Sequence, residues 1–270
     1  MRKQTRTVRS TLGLLASAGF LLASCGGRQS AIDSAGLQAD RLESLWWLFF
    51  WVLGSIYVIV MAVLITAVLR RRRSHSETAP ETNPEPARER RMGNTIKGAV
   101  LLSAVILFIF MIVSFRTGSV VGALQGNEAL TIKVTGNQWW WNVEYQDPIP
   151  SRNITTANEI HLPVGRVVRV ELQSNDVIHS FWLPNLHGKK DAVPNYPTTI
   201  YFRPDKTGIF WGQCAEFCGY QHAKMRFMVA VESPEDFEAW AAAQRQTPPP
   251  PTDAVTQRGQ QIFLTSVCAQ

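Results

Sequence analysis

The chain has 270 residues, 46% of them hydrophobic, with 27 Lys and Arg against 21 Asp and Glu and a pI near 9.4. This length allows one or two domains, but much of the apolar content lies in runs longer than a soluble core needs, which argues against a simple soluble globule. Residues 1–116 hold 15 Lys and Arg against 7 Asp and Glu, whereas 117–270 hold 12 against 14, so the basic pI reflects a polarised chain and not a nucleic-acid surface.

Residues 1–24 open with Arg2, Lys3, Arg6 and Arg9 and continue into an uncharged stretch ending in small residues, the form of an export signal. The string Leu22-Ala-Ser-Cys25-Gly-Gly resembles a bacterial lipoprotein cleavage box, which implies lipid on the Cys25 sulfur. A plain signal, or a first membrane helix with an incidental Cys25, is the alternative. Residues 46–69 carry no charge, begin with Trp46, Trp47 and Trp51, and stop at Arg70, predicting a transmembrane helix. Residues 98–115, bounded by Lys97 and Arg116, predict a second. The link over 74–96 is rich in Pro, Glu and Arg and reads as a polar surface loop. Its Arg88, Arg90 and Arg91, with the arginines at 70–73, put that loop in the cytoplasm. Residues 25–116 therefore read as a hairpin in a bacterial inner membrane, with both termini extracytoplasmic.

Beyond Thr117 the pattern becomes short β-rich runs, at 130–135, 138–145, 167–173, 198–202, 208–211 and 226–231, which predict an all-β sandwich. A βαβ alternation with a nucleotide-binding Gly loop is missing, so a dinucleotide fold has no support. Strand alternation would send Trp139 and Trp141 to one face and Trp140 to the other, and by pattern alone such a stripe reads as core. His75, His161 and His187 have polar or turn-like neighbours and no cysteine partner, and are expected at the surface.

The chemistry concentrates in Cys214, Glu216, Cys218, His222 and Met225. Thiolate and thioether sulfur favour copper over hard cations. A structural zinc site would leave Met225 without a role, and a mononuclear blue-copper site would have one cysteine too many. His179, after the run 167–173, is the best-placed second imidazole. Two bridging thiolates with one imidazole each would hold two copper ions, with Met225 and the Glu216 carbonyl completing one ion each. A Cys214–Cys218 disulfide is the bland alternative, but it explains neither the His nor the Met. Gly212 and Gly219 bracket the cysteines and would let the loop fold back on itself.

Residues 233–240 read as a short capped helix, and 241–257, with four consecutive prolines, as a semi-rigid linker. Residues 258–270, with Gly259, Phe263 and Cys268, resemble the opening of a c-type cytochrome domain just before CxxCH. A longer parent chain is expected to carry that motif, and haem c only there.

The pattern CxExCGxxHxxM, with His179 in an upstream HSFWLP segment, resembles the CuA-containing subunit II of bacterial cytochrome c oxidase, most closely the caa3 type with a fused cytochrome c. The resemblance implies a cupredoxin-like Greek-key sandwich over 117–240 and binuclear copper on His179, Cys214, Glu216, Cys218, His222 and Met225. It also implies that Trp139, in GNQWWWNVEY, is the aromatic facing the donor cytochrome c. Glu216, through its side chain, and Asp191 would lie near a magnesium or manganese site shared with subunit I. The implied function is electron input to a haem-copper oxidase that reduces oxygen and pumps protons, with subunits I and III and membrane lipid as partners. The complete ligand set argues against a quinol-oxidase subunit, and the chain lacks the large His-rich domain of a nitrous-oxide-reductase-like enzyme. A free membrane-anchored cupredoxin, carrying electrons or delivering copper, is the alternative.

Overall fold

The computed structural model describes residues 26–73, 86–122, 129–247 and 249–266. Cys25, His75 and Cys268, and with them the export signal and the lipid and haem expectations, lie outside the described residues.

Two long helices come first, α1 (Leu37–Arg73) and α2 (Pro86–Gly122). Both are long and apolar enough to cross a membrane. Their large apolar side chains, among them Trp51, Tyr57, Leu107 and Phe115, point outward and are exposed. Such a surface requires an apolar solvent, and the pair anchors the chain in a membrane. Phe49 stacks on Phe110 at 4.3 Å, joining the helices.

Both helices run past the expected 46–69 and 98–115. Absence of charge marks only the part that must sit in hydrocarbon, whereas helical hydrogen bonding continues wherever side chains such as Glu43 and Glu89 can reach water. Residues 86–96 are therefore helix and not loop. Pro86 starts α2, where a missing N–H costs nothing. The expected boundary at 117 falls inside α2, and the first strand begins only at Leu130.

Ten strands follow: β1 (Leu130–Asn137), β2 (Trp140–Tyr145), β3 (Ile154–Ala157), β4 (Glu159–Pro163), β5 (Val168–Ser174), β6 (His179–Trp182), β7 (Lys189–Ala192), β8 (Thr198–Phe202), β9 (Gly208–Cys214) and β10 (Arg226–Glu232). They form two five-stranded sheets, ordered β3-β2-β1-β5-β8 and β4-β10-β9-β6-β7. The β1–β5 and β4–β10 pairs are parallel and the others antiparallel. This is the expected cupredoxin-like sandwich. Burial on β5 alternates strictly, as a strand with one face on a core should. Trp141 lies at the centre, edge-on to Phe181 and Phe227.

Every run expected to be β contains a strand, but β3, β4, β6 and β7 went unpredicted. They have four or five residues, and β7 reads Lys-Lys-Asp-Ala, too short and polar to show a period of two. His161, expected at the surface, is buried on β4. Its ring nitrogens lie 2.7 Å from Glu159 and 3.1 Å from Glu232, and its ring stacks on Trp240 at 4.2 Å. Pairing with β10 is what carries this locally polar segment under the next helix. His187 is half-buried, and burial lowers its pKa.

After β10, α3 (Pro234–Gln244) is capped by Ser233, whose Oγ accepts from the Asp236 N–H at 3.1 Å. A further helix, α4, spans Ala254–Thr265 and is capped by Asp253. The expected linker over 241–257 thus shrinks at both ends, because the chain on either side of the prolines finds a cap or a helical turn. Ahead of α1, the segment 27–36 is stitched to the sandwich through the fully buried Asn185. Its Nδ2 donates to the carbonyls of Gly27 (3.0 Å) and Asp33 (2.8 Å), and its Oδ1 accepts from the Ser30 N–H at 3.0 Å.

A Cβ at Gly212, on β9, would overlap the ring of Phe227 on β10. Gly212→Ala is therefore expected to destabilise the domain by about 1–3 kcal/mol through overpacking, visible as a lower midpoint in thermal unfolding.

Candidate metal centre

The site is built from the ends of strands at one end of the sandwich. β5 stops at Ser174, and the turn through Asp176 brings His179 to the start of β6. β9 delivers Cys214 at its last residue, opposite Phe181 of β6. The chain then loops out through Cys218 and His222 and returns at Met225, the residue before β10. The Cys214 N–H donates to the Met225 carbonyl at 3.0 Å, closing the loop on itself. Gly219 has φ +115°, a conformation that L side chains rarely adopt, so glycine is needed at this point of the loop.

All the expected copper donors meet. The two Sγ atoms are 3.8 Å apart and not bonded. Cys214 Sγ lies 3.8 Å from His179 Nδ1 and 3.2 Å from the Glu216 carbonyl oxygen. Cys218 Sγ lies 3.6 Å from His222 Nδ1 and 3.8 Å from Met225 Sδ. Each thiol thus has one imidazole beside it. His179, Cys214 and Cys218 offer ligand atoms within 4.8 Å of one another, close enough to hold a metal ion. Cys214, Cys218, Met225 and His179 are buried, so the donors are shielded from water.

Asp176, which the sequence reading passed over, orients His179. Its carboxylate lies 2.7 Å from His179 Nε2 and accepts from the Gln138 N–H at 2.6 Å and the Val177 N–H at 2.7 Å. A carboxylate on one ring nitrogen fixes the tautomer that leaves the other free for a metal. The available signal was its position, three residues before a candidate ligand. On the far side of the ring, a Cβ at Gly136 would come within 2.7 Å of His179 Cδ2. Trp139 falls in the turn before β2 and not in the expected strand, so the predicted alternation holds only for Trp140, exposed, and Trp141, buried. Its Nε1 donates to the Cys218 carbonyl at 3.1 Å, and Gln138 Nε2 donates to the same oxygen at 2.7 Å. Glu216 is exposed beyond its inward carbonyl. Asp191 lies exposed on β7, opposite Ser180 and one residue from the His179 pair.

Burial opposes ionisation of Cys214, but contact with His179 and with the backbone of Ser180 and Glu216 outweighs it and brings its pKa from 9.0 to about 6. Burial likewise opposes charge on His179, and Cys214 and Asp176 together raise its pKa. Asp176 is held low despite partial burial, through His179 and the two backbone N–H groups. Burial and then the neighbouring Cys214 charge push Cys218 up to about 12. One proton thus leaves the thiol pair easily, and the second needs a cation to replace it.

The family model described as cytochrome C oxidase subunit II, periplasmic domain, matches residues 148–232, which contain all six copper-ligand candidates. The cytochrome c oxidase subunit 2 of Alkalihalophilus pseudofirmus (strain ATCC BAA-2126 / JCM 17055 / OF4) is 30% identical over 259 residues, covering 92% of this chain and 72% of that protein. The chain belongs to the cytochrome c oxidase subunit 2 family. A second member, from Thermostichus vulcanus, is 43% identical over 111 residues, 41% of this chain and 32% of that one. Among solved structures, the periplasmic domain of subunit II of cytochrome oxidase (CoxB) of Bradyrhizobium japonicum is 34% identical, covering 45% of this chain and 97% of that chain, with a TM-score of 0.42.

Two outcomes test this geometry for a subunit 2 protein. In the metal-free protein, ultraviolet thiolate absorbance should show one thiol ionising near pH 6 and the other only near pH 12, with Cys214→Ser removing the first step. The sign is set by the lowered value: the stabilisation from the Cys214 thiolate is present above 9.0 and lost as pH falls through about 6. The raised value of His179 acts oppositely, its share being present below 6.5 and lost as pH rises through the raised value, so absorbance isolates the thiol where a melting curve does not. Removing the orienting carboxylate in Asp176→Ala should weaken copper affinity by about 10–100-fold in a competition titration, with both cysteines still present.

Proposed function

We propose that this subunit accepts electrons from cytochrome c at a binuclear copper centre and passes them to haem in subunit I of a haem-copper oxidase, where oxygen is reduced and protons are pumped. The observation that carries the reading is the doubled arrangement of one imidazole beside each of two unbonded thiols 3.8 Å apart, with one carbonyl and one thioether at the ends. A soft donor set of this size fits two copper ions better than one.

His179, Cys214, the Glu216 carbonyl, Cys218, His222 and Met225 would hold the metal, which when bound supplies a one-electron redox centre. The chain's own work is positional. Asp176 holds one imidazole, Gly136 leaves room for it, and the closed loop between β9 and β10 fixes the sulfurs. Such a stiff, buried cage would let oxidation state change with little movement. Trp139 is the proposed point of electron input, supported by its partial exposure and by its hydrogen bond to the Cys218 carbonyl. The exposed Glu216 side chain and Asp191 would share magnesium or manganese with subunit I; subunit III is the further partner. The acidic half of the chain would face the extracytoplasmic side, with both termini, and Cys25 would carry lipid.

Electron paramagnetic resonance on the copper-loaded full chain should show one unpaired electron shared by two copper ions, with metal analysis giving two coppers per chain. A single-copper spectrum, or zinc, would overturn the binuclear reading. Trp139→Leu is expected to slow reduction by cytochrome c severalfold at unchanged copper content; equal kinetics would remove Trp139 from the path.

A further inference from the structure

At the end of the sandwich opposite the metal centre lies an open cleft of about 980 Å³. β1 begins in it at Leu130 and reaches the metal end at Gly136, so a strand length of about 20 Å separates the two. One wall is α3, through Phe237, Glu238 and Ala241. Four arginines line it, Arg152, Arg166, Arg169 and Arg245, against two acids, Asp147 and Glu238. They come from three separate stretches of the chain, Arg166 and Arg169 flanking the start of β5, which only the fold brings together.

The positive charge is incompletely answered from within. Arg169 pairs with Glu171 at 2.7 Å, but its Nε is buried without a partner. Arg245 Nε donates to the Arg152 carbonyl at 3.2 Å, an uncharged acceptor. Among the described residues, neither Arg152 nor Arg166 has a carboxylate within ion-pair distance. This is an excess of planar, forked donors around one hollow, on a domain that is otherwise slightly acidic. Guanidinium forks match the oxygens of phosphate in pairs, and several of them suit an anion with more than one charged oxygen. The floor is apolar, from Leu130, Ile154 and Phe237. Ala129, seven residues along the chain from the end of α2 at Gly122, also lines the cleft.

We propose that this cleft is a binding site for a phosphate-bearing anion, either the headgroup of an acidic phospholipid or a free phosphate compound, held by Arg152, Arg166, Arg169 and Arg245. It is independent of the copper centre and of any step there.

The test is protection of arginines in the full chain from an arginine-selective dicarbonyl reagent, read residue by residue by mass spectrometry. The probes are inorganic pyrophosphate added to the detergent-solubilised chain, and phosphatidylglycerol added to phosphatidylcholine nanodiscs. Either should slow modification of Arg152, Arg166 and Arg245 severalfold while leaving Arg226, exposed over the Trp211 ring, unchanged. Protection by phosphatidylglycerol alone assigns a lipid headgroup, and protection by pyrophosphate alone or by both assigns a site for phosphate in free form. The double variant Arg152→Glu and Arg166→Glu should abolish protection at Arg245 with circular dichroism unchanged; if it unfolds the domain, the exposed Arg166→Gln carries the same comparison. No protection by either probe, equal protection at Arg226, or protection that survives in the folded variant would overturn the proposal.

Discussion

The imidazole of His179 is the constraint around which the functional end of this domain is arranged. It is fully buried, with Asp176 on one nitrogen, the Cys214 thiol facing the other, the edge of Trp141 against its ring and Gly136 behind it. Asp176 and Cys214 both raise its pKa, outweighing burial, and the same contact lowers that of Cys214, so metal binding at this point must displace protons. Each neighbour comes from a different strand or turn. The ring therefore ties both sheets to the loop that carries the sulfurs.

Rigidity at this end comes from the closed loop and the aromatic core beneath it. Trp141 touches His179, Phe181 and Phe227, and Phe227 lies against Gly212, two residues before Cys214. Packing of this density is hardly compressible and holds ligands at set distances. The Cys218 carbonyl, which takes hydrogen bonds from both Gln138 and Trp139, joins the outer turn to the same cage. The opposite end has a different character, with arginines, a wide cleft and a helix held by the stack of Trp240 on His161. The proposed copper cage and the proposed anion cleft thus lie at separate ends of one sandwich.

The membrane hairpin and the sandwich are joined by more than the chain running between α2 and β1. Asn185 grips the segment ahead of α1, the Lys206 ammonium donates to the Ser34 carbonyl at 2.6 Å, and Gly36 lies against the backbone of Leu186 and Arg203. These contacts set the sandwich against the start of α1. For the electron transfer proposed above, such fixed placement would matter, since electron transfer falls steeply with distance.

Much of the function was legible in the chain because it depends on local spacing. The sulfur and imidazole donors between 214 and 225 lie in one short loop, and the uncharged runs at 46–69 and 98–115 carry their own physical meaning in lipid. The runs at 198–202 and 226–231 show a strand pattern because one face of each is buried. Other features depended on pairing between distant segments. Asp176 looks like any turn residue until Gln138 and His179 close on it, and His161 looks like a surface residue until β4 pairs with β10 beneath α3. The helix ends at Leu37 and Gly122 were hidden because charge patterning reports solvent and not hydrogen bonding. The sequence by itself determined which donors are present, because ligand chemistry is a property of residue type and close spacing. Only the tertiary structure decided which groups orient them and which arginines converge, because burial and long-range pairing are properties of the folded chain.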